Sequence, residues 1–382
     1  MVAWGINNIG LGIIFIIFAV QCLILTRQVN EKRKKESDEE SKTHFREGVF
    51  NGLLTAALLV AIGLIYVITG LAVLLFNNTT QGGLGLLYPV PTDSFVIYFL
   101  AFLIIFIGAF VIYEYLTQKS IRNPPPEQKT HKLDLEVSRK AFHVLIIGIL
   151  AVYLVVGPLV TTAIYEYLST PAYDFYDFAS HSADIAAIDG GQLWAMFGVT
   201  AIFELSFLTD LIRIKAPRWY PVRMISNLYR EKEKETFGPH VYLVGGILFA
   251  IIVFPAPIAM AVIAISGLGD ATATIVGVTK GKHKIRPKVS KKSWEGAIAG
   301  MIASFMFGFI AFIALASLPV YIAFPGNIGK VLLVGLVVNA AAIPVFFAID
   351  YFTPQPLPFS DNLLNPILIG FTMWGIYALF LI

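Results

Sequence analysis

Long apolar runs recur along the whole chain and are separated by shorter polar segments. Runs of about 20 apolar residues are typical of helices that cross a bilayer. The pattern predicts spans near residues 5–26, 49–76, 95–116, 141–165, 192–214, 239–255, 257–279, 294–317, 329–350 and 362–382. Only a proline turn, in "FPAPIAM", separates the sixth of these from the seventh. We therefore expect an all-α, polytopic membrane protein with about ten transmembrane helices.

Composition supports this class. Of the 382 residues, 57% are hydrophobic and 14% are charged, and the mean hydropathy is +0.74. The single cysteine, Cys22, lies within an apolar run and has no partner for an internal disulfide. The first apolar run has neither the cationic start nor the cleavage site of a secretory signal, so we expect a retained helix. We expect no nucleic-acid partner, and the sequence leaves the oligomeric state open.

The cationic residues are concentrated in a few polar segments. Of 28 Lys and Arg, segment 27–46 holds seven, 117–140 six, 213–236 seven and 278–292 seven. With ten spans these segments are alternate connections, so they share one face of the membrane. An excess of Lys and Arg is typical of the cytoplasmic face. Both termini are therefore predicted outside, and segment 353–362 falls on the cytoplasmic side.

A proline-rich stretch, "RNPPPEQKTHK", separates the first three predicted spans from the rest. Every stretch with recognisable chemistry follows it. We predict that residues 1–130 form an accessory three-helix membrane segment, whose charged cytoplasmic linker is solvated or helical. Residues 131–382 are predicted to form the catalytic membrane domain.

The stretch with the strongest chemical signal is "GLGDATATIVGVTKGKHKIRPKVSKKSWEGAIAG", residues 267–300. Asp270 is a carboxylate within a small-residue helix, and charge inside a membrane span is costly and usually functional. Lysines suit phosphate and Mg²⁺ suits carboxylate and phosphate oxygens. A helix that begins after Lys291 and Lys292 favours anions at its start. This pattern predicts a site for a nucleotide polyphosphate with a divalent metal. Alternatively, the cations are only the topology signal of a cytoplasmic loop.

Two further stretches place ionisable residues at the ends of spans. Arg139 and His143 lie one helical turn apart and share a face of the helix. An Arg and a His that only lie at the membrane interface, with no part in a site, would show the same spacing. Glu204 and Asp210 lie inside or at the end of a span and need a partner. Since Arg213 follows Asp210 by three residues, a simple intrahelical ion pair is an alternative.

The remaining candidates also fall on the predicted cytoplasmic face. Glu235, in "EKETFGPH", could bind a metal or act as a base. Asp350 ends one span, and Asp361 with Asn362 begins the last one, with Ser360 as a possible N-cap. An Asp at a helix start is often only a cap, which is the alternative for Asp361.

These motifs resemble a known superfamily. "GDATATIVG" followed by "KKSWEGAIAG" resembles the signature of membrane CTP-dependent transferases, which unite phosphatidate cytidylyltransferases with dolichol, phytol and CTP-dependent diacylglycerol kinases. "SRKAFH", "EKETFGPHVYLVGG" and "DNLLNP" resemble motifs of the kinase branch, and the H-G-G-x-x-D-R-x-D ending of the cytidylyltransferase branch is missing. The resemblance covers roughly residues 136–370. It departs at Trp294, where the family usually has Leu, and at Asp350, where related chains often have Glu.

The resemblance implies phosphoryl transfer from CTP to the hydroxyl of a membrane isoprenoid alcohol, such as dolichol, at the cytoplasmic face. It assigns Mg²⁺ to Asp270, and it leaves Glu235 and Asp361 as equal candidates for a second metal contact or the general base. Other implied catalytic residues are Lys292 and His143. The implied nucleotide-binding residues are Arg139, Lys280, Lys288, Lys291, Ser293, Glu295 and Asn362. Two alternatives remain open: a CDP-lipid synthase, in which the inner phosphate is attacked, and an ion-coupled transporter.

Overall fold

The structure is a computed structural model that describes residues 2–76, 143–160, 183–215, 236–286, 292–317, 327–352 and 359–380. Within these ranges all regular structure is helical, apart from one isolated antiparallel bridge between Lys284 and Ser293. Seven described helices are long and apolar enough to cross a membrane. The all-α polytopic class is therefore confirmed. The predicted total of ten spans stays a prediction, since the span at 95–116 lies outside the described residues.

From residue 239 onward the described helices follow the predicted spans closely, whereas three of the earlier helices are longer than predicted by roughly ten residues. They are α1 (Val2–Lys35), α2 (Glu39–Phe76), α3 (Val144–Ala151), α4 (Ala183–Lys215), α5 (Pro239–Val253), α6 (Ala256–Ala264), α7 (Asp270–Thr279), α8 (Trp294–Ala316), α9 (Ile328–Phe352) and α10 (Asp361–Leu379). A π-helical turn, Ile265–Gly269, joins α6 to α7, so that both belong to one continuous span. The predicted proline turn is confirmed, because α5 ends at Val253 and Pro255 precedes the first residue of α6.

Contacts divide the described chain into two compact units. Unit 1 contains α1, α2 and the chain from Ala201 to Tyr242, whereas unit 2 contains α3, the first part of α4 and the chain from Leu243 onward. The predicted boundary near residue 130 separates an accessory segment from a catalytic domain. The two compact units do not test this assignment of roles, so the boundary stays a prediction.

In unit 1, α1 and α2 form a helical hairpin. Asp38 lies in the short break between them, and its carboxylate accepts a hydrogen bond from the Ser41 backbone N–H at 2.8 Å, as an N-cap does. The charged linker predicted as solvated or helical is thus largely helical. Deeper in the hairpin the two backbones meet closely, because a Cβ at Gly12 would lie 2.6 Å from the Gly63 carbonyl oxygen.

In unit 2, α6 is the central helix. Every residue from Ala256 to Ala264 is buried, as expected for a helix that is apolar on all sides. Glycines on α8 allow it to pack tightly against α7. A Cβ at Gly296 would lie 2.6 Å from the Ala273 carbonyl oxygen, and a Cβ at Gly300 would lie 2.6 Å from the Ala273 Cβ. This packing brings the beginning of α8 beside the helix that carries Asp270.

Candidate functional site

Asp270 and His143 form a buried polar pair in unit 2. His143 Nε2 lies 3.1 Å from Asp270 Oδ2, and the two side chains are 10% and 9% exposed. Asp270 follows the π-helical turn directly, and such turns are frequent at functional sites. The turn is close to α3, since a Cβ at Gly267 would lie 2.5 Å from the Ile146 side chain. Residues that are 127 positions apart in the sequence are thereby brought together.

Lys292 connects the beginning of α8 with the end of α9 and the beginning of α10. Its Nζ lies 2.6 Å from Asp350 Oδ1 and 3.3 Å from Asp361 Oδ2, and it also donates to the Asp350 backbone carbonyl. Lys292 precedes α8, Asp350 lies near the end of α9, and Asp361 begins α10. The Lys292 and Asp361 side chains are each 32% exposed, whereas that of Asp350 is only 4% exposed. The cluster is therefore a buried carboxylate with a partly exposed ammonium group and a second carboxylate.

The charges in this cluster keep Lys292 protonated. Burial by itself lowers the pKa of Lys292, but the carboxylates of Asp350 and Asp361 and the hydrogen bond to Asp350 raise it above its ordinary value of 10.5. Asp270 also contributes to raising this pKa. The Asp270 charge is thus near enough to act on Lys292, which connects the His143 pair electrostatically with the lysine cluster.

The basic segment between α7 and α8 folds back on itself. The Ile285 N–H donates to the Lys292 carbonyl at 3.1 Å, and the Trp294 N–H donates to the His283 carbonyl at 2.9 Å. Glu295 supports this arrangement, because its carboxylate accepts from the His283 N–H at 3.2 Å and lies 2.6 Å from His283 Nδ1. The two arms of the segment, residues 283–286 and 292–294, are therefore fixed beside each other.

Two of the predicted nucleotide-binding residues, Ser293 and Asn362, make local backbone hydrogen bonds, whereas Lys280 is exposed. Ser293 is 2% exposed, and its hydroxyl N-caps α8 by accepting from the Gly296 N–H at 3.3 Å. Lys280 is exposed directly after α7. The Asn362 N–H donates to Asp361 Oδ1 at 2.9 Å, so Asp361 makes a local turn contact as well as the Lys292 pair. The side chain of Ser360 makes no capping hydrogen bond.

Four predicted site residues lie outside the described residues, and their roles stay predictions: Arg139, Glu235, Lys288 and Lys291. Conversely, sequence reasoning gave Asp350 no role, although it is the carboxylate nearest to Lys292. A signal was available, since Asp350 stands where related chains often carry an acidic residue. Nothing in the sequence indicated that the Tyr351 hydroxyl donates to the Ser293 carbonyl at 3.3 Å.

The charged residues at the end of α4 form a separate cluster, within unit 1. Arg213 Nε lies 2.5 Å from Asp210 Oδ1, Arg213 Nη2 donates to the Thr236 carbonyl at 2.6 Å, and Asp210 Oδ2 accepts from the Gly238 N–H at 2.6 Å. The intrahelical ion pair given as the alternative for Asp210 is thus present, and it also binds the backbone of the following segment. Glu204 is also buried, at 5% exposure.

The number and type of nearby side chains determine whether a divalent metal can bind at this site. Among the described residues, no three His, Cys, Asp or Glu side chains are grouped closely enough to hold a metal ion by themselves. Mg²⁺ commonly uses only one or two carboxylates and takes its other ligands from water and substrate phosphates. Asp270 and Asp361 can supply such carboxylates, so the site fits a metal that accompanies a nucleotide rather than one enclosed by protein.

The family comparison agrees with the chemistry of this site. The profile of the cytidylyltransferase family matches residues 137–344, which is more than half of the chain. The chain belongs to the cytidylyltransferase family, a family of enzymes that use CTP. The matched range includes His143, Asp270 and Lys292, and it ends before Asp350 and Asp361. No curated protein and no solved structure matches the chain.

Proposed function

We propose that this protein transfers a phosphorus-containing group from CTP to a membrane lipid at the Lys292 cluster of unit 2. The observation that carries this proposal is the meeting of Lys292 with Asp350 and Asp361, within the electrostatic reach of Asp270. Family membership supports the use of CTP, and the apolar helices around the cluster support a lipid acceptor.

In this proposal, cations of the basic segment bind the CTP phosphates. Lys292 keeps its charge because of its carboxylate neighbours and is held ready at the start of α8. The residues suit Mg²⁺ held by Asp270 and Asp361, and when bound it would neutralise charge on the phosphates. Phosphoryl transfer requires mainly charge neutralisation and correct positioning, which fixed lysines and carboxylates provide.

Within this class we favour a kinase that phosphorylates the hydroxyl of an isoprenoid alcohol such as dolichol. The support is the segment "DNLLNP", which resembles the kinase branch and lies beyond the range matched by the family profile. Its Asp361 nevertheless contacts Lys292, which lies within the matched range. The segment that distinguishes the kinases therefore belongs to the same cluster as the shared CTP signature.

The second candidate is a CDP-lipid synthase, in which a phospholipid acid attacks the inner phosphate of CTP. The family match supports this candidate more directly than it supports the kinase, because cytidylyl transfer is the reaction that names the family. The two reactions need the same nucleotide site and differ in the phosphorus atom that is attacked.

Product analysis separates the candidates. Purified protein is given CTP labelled in either the cytosine or the terminal phosphate, together with dolichol, phytol, geranylgeraniol, diacylglycerol or phosphatidic acid. A kinase releases CDP and labels the alcohol with the terminal phosphate, whereas a synthase releases pyrophosphate and labels the lipid with cytosine. Absence of turnover with every lipid, combined with ion flux in reconstituted vesicles, would instead support the transporter.

A further inference from the structure

Three consecutive residues at the beginning of α8 contact aromatic side chains from the last turns of α9. Lys292 Nζ lies 5.8 Å from the centre of the Tyr351 ring. The Tyr351 hydroxyl donates to the carbonyl of the next residue, Ser293, at 3.3 Å. The Trp294 ring stacks on the Phe347 ring, with centroids 6.1 Å apart. The end of α9 therefore contacts the chain at Lys292 and at both residues that follow it.

Tyr351 is itself closely packed. It is 5% exposed, and the Arg286 guanidinium donates to its backbone carbonyl. Phe347 lies one helical turn before it on the same face of α9, and the two ring centroids are 4.6 Å apart. This packing restricts where the Tyr351 ring and hydroxyl can lie.

The hydroxyl of Tyr351 fixes the backbone next to Lys292. The Ser293 carbonyl accepts the first helical hydrogen bond of α8, from the Ala297 N–H at 3.0 Å. A carbonyl oxygen has two lone pairs, and the Tyr351 hydroxyl is a donor for the second. Because Ser293 directly follows Lys292, this contact limits the directions in which the Lys292 side chain can extend from the backbone.

The ring of Tyr351 acts on the ammonium group itself. A cation within about 6 Å of the centre of an aromatic ring is attracted by the negative face of the ring. Unlike the Asp350 carboxylate, the ring has no formal negative charge, so it restrains the ammonium without repelling a phosphate. The Lys292 side chain is 32% exposed, which leaves the ammonium accessible to a ligand. Restraining a flexible lysine before binding lowers the entropy lost when a ligand immobilises it.

We propose that Tyr351 is a positioning residue for Lys292: its ring and hydroxyl hold the lysine in the place where the ammonium binds a CTP phosphate. This inference rests on the proposed use of CTP, and it applies equally to a kinase and to a synthase. If Tyr351 only stabilised the contact between α8 and α9, its substitution would lower stability and leave the CTP affinity of the folded protein unchanged.

The test measures binding of labelled CTP with Mg²⁺ to the purified full chain, without a lipid acceptor. Tyr351→Phe removes the hydroxyl and keeps the ring, and it is expected to weaken CTP binding about threefold. Tyr351→Leu removes both contacts and is expected to weaken binding about tenfold. The matched controls are Tyr377→Phe and Tyr377→Leu, because Tyr377 is a buried tyrosine at the end of α10 opposite to Asp361. Both controls should leave the dissociation constant unchanged.

A double-mutant cycle shows whether Tyr351 acts through Lys292. In the Lys292→Ala background the lysine that Tyr351 restrains is gone. Adding Tyr351→Leu to this background should therefore change the CTP dissociation constant by less than about twofold. The same loss in this background as in wild type, or an unchanged dissociation constant in both Tyr351 variants, would overturn the positioning role.

Chemical labelling of lysines gives a readout that needs no nucleotide. Acetic anhydride acylates accessible amines, and mass spectrometry reports acylation of Lys292 relative to Lys280, which is exposed directly after α7. In Tyr351→Leu this ratio is expected to rise, because the ring no longer covers the Lys292 amine. An unchanged ratio would also overturn the positioning role. A wild-type protein that binds no CTP would overturn the proposed function, whereas the labelling ratio would still show whether Tyr351 restrains Lys292.

Discussion

Two clusters of charged side chains, one in each unit, differ in their exposure to solvent and in how far apart in the sequence their members lie. In unit 1, Asp210 and Arg213 lie three residues apart on one helix, pair with each other and donate to or accept from the backbone at Thr236 and Gly238. Both side chains are almost fully buried, at 0% and 6% exposure. The contacts of this pair join a helix to the following segment, and we interpret the pair as structural.

The cluster in unit 2 has the opposite character. Lys292 contacts the carboxylates of Asp350 and Asp361, and the charge of Asp270 also acts on it, so the members of this cluster come from separate segments. Its lysine and one carboxylate are each about one-third exposed. A buried charge is costly unless it is compensated. A group of charged side chains that is open to solvent and drawn from separate segments is typical of a ligand-binding site.

The largest expected effect is the loss of turnover in Asp270→Asn. The amide has nearly the same shape and can still hydrogen-bond to His143, but it lacks the charge that a metal ligand needs. CTP turnover should fall by a factor on the order of 1,000, with the melting temperature almost unchanged. Product formation is measured under saturating CTP and lipid. Turnover above about a tenth of wild type would remove Asp270 from the site.

The next largest effect is on stability, and it concerns the cluster in unit 1. Arg213→Met leaves the buried Asp210 carboxylate without its cation and should destabilise the protein by about 3–5 kcal/mol. The double variant Asp210→Asn/Arg213→Met removes both charges and should recover part of this loss. Melting temperatures of the purified variants provide the measurement. A single variant as stable as wild type would show that the pair is not a structural requirement.

A smaller effect is expected on nucleotide affinity in Lys292→Ala. Loss of a charged hydrogen-bond donor should raise the half-saturating CTP concentration about 10- to 100-fold, while the lipid requirement changes less. The control Asp350→Asn/Lys292→Ala removes the carboxylate left unpaired by the single change, and it separates destabilisation from weaker CTP binding. An effect confined to the lipid requirement would contradict the assignment of Lys292 to phosphate.

The smallest effect concerns pH. Because the folded-state pKa of Lys292 is raised, the stabilisation by its charge is fully present below the ordinary lysine value of 10.5 and is lost only as pH rises through the higher folded value. CTP affinity should therefore show no inflection from Lys292 between about pH 7 and pH 10. Wild type and Lys292→Arg are compared over this range. An inflection present only in wild type would mean that Lys292 is not held in its charged form.

Much of the fold could be predicted because the membrane imposes a simple length rule. A helix that crosses hydrocarbon must be apolar for about 20 residues, so α5, α8 and α9 were predictable within a few residues. The break before α6 was predictable from Pro255, which has no N–H to donate. The π-helical turn at Ile265–Gly269 was not predictable, because it inserts into an uninterrupted apolar span and depends on packing against neighbouring helices.

The sequence by itself determined the class of the protein and the candidacy of Asp270, because a charge within an apolar span stands out in the sequence. It also indicated His143 and Lys292 through the motifs that contain them. Only the tertiary structure decided which charges meet. It joined Lys292 to Asp350, and it attached Arg286 to the end of α9. The reason is physical: hydrophobicity acts residue by residue along the chain, whereas an ion pair or a cap depends on the distance between atoms from separate segments, which only helix packing sets.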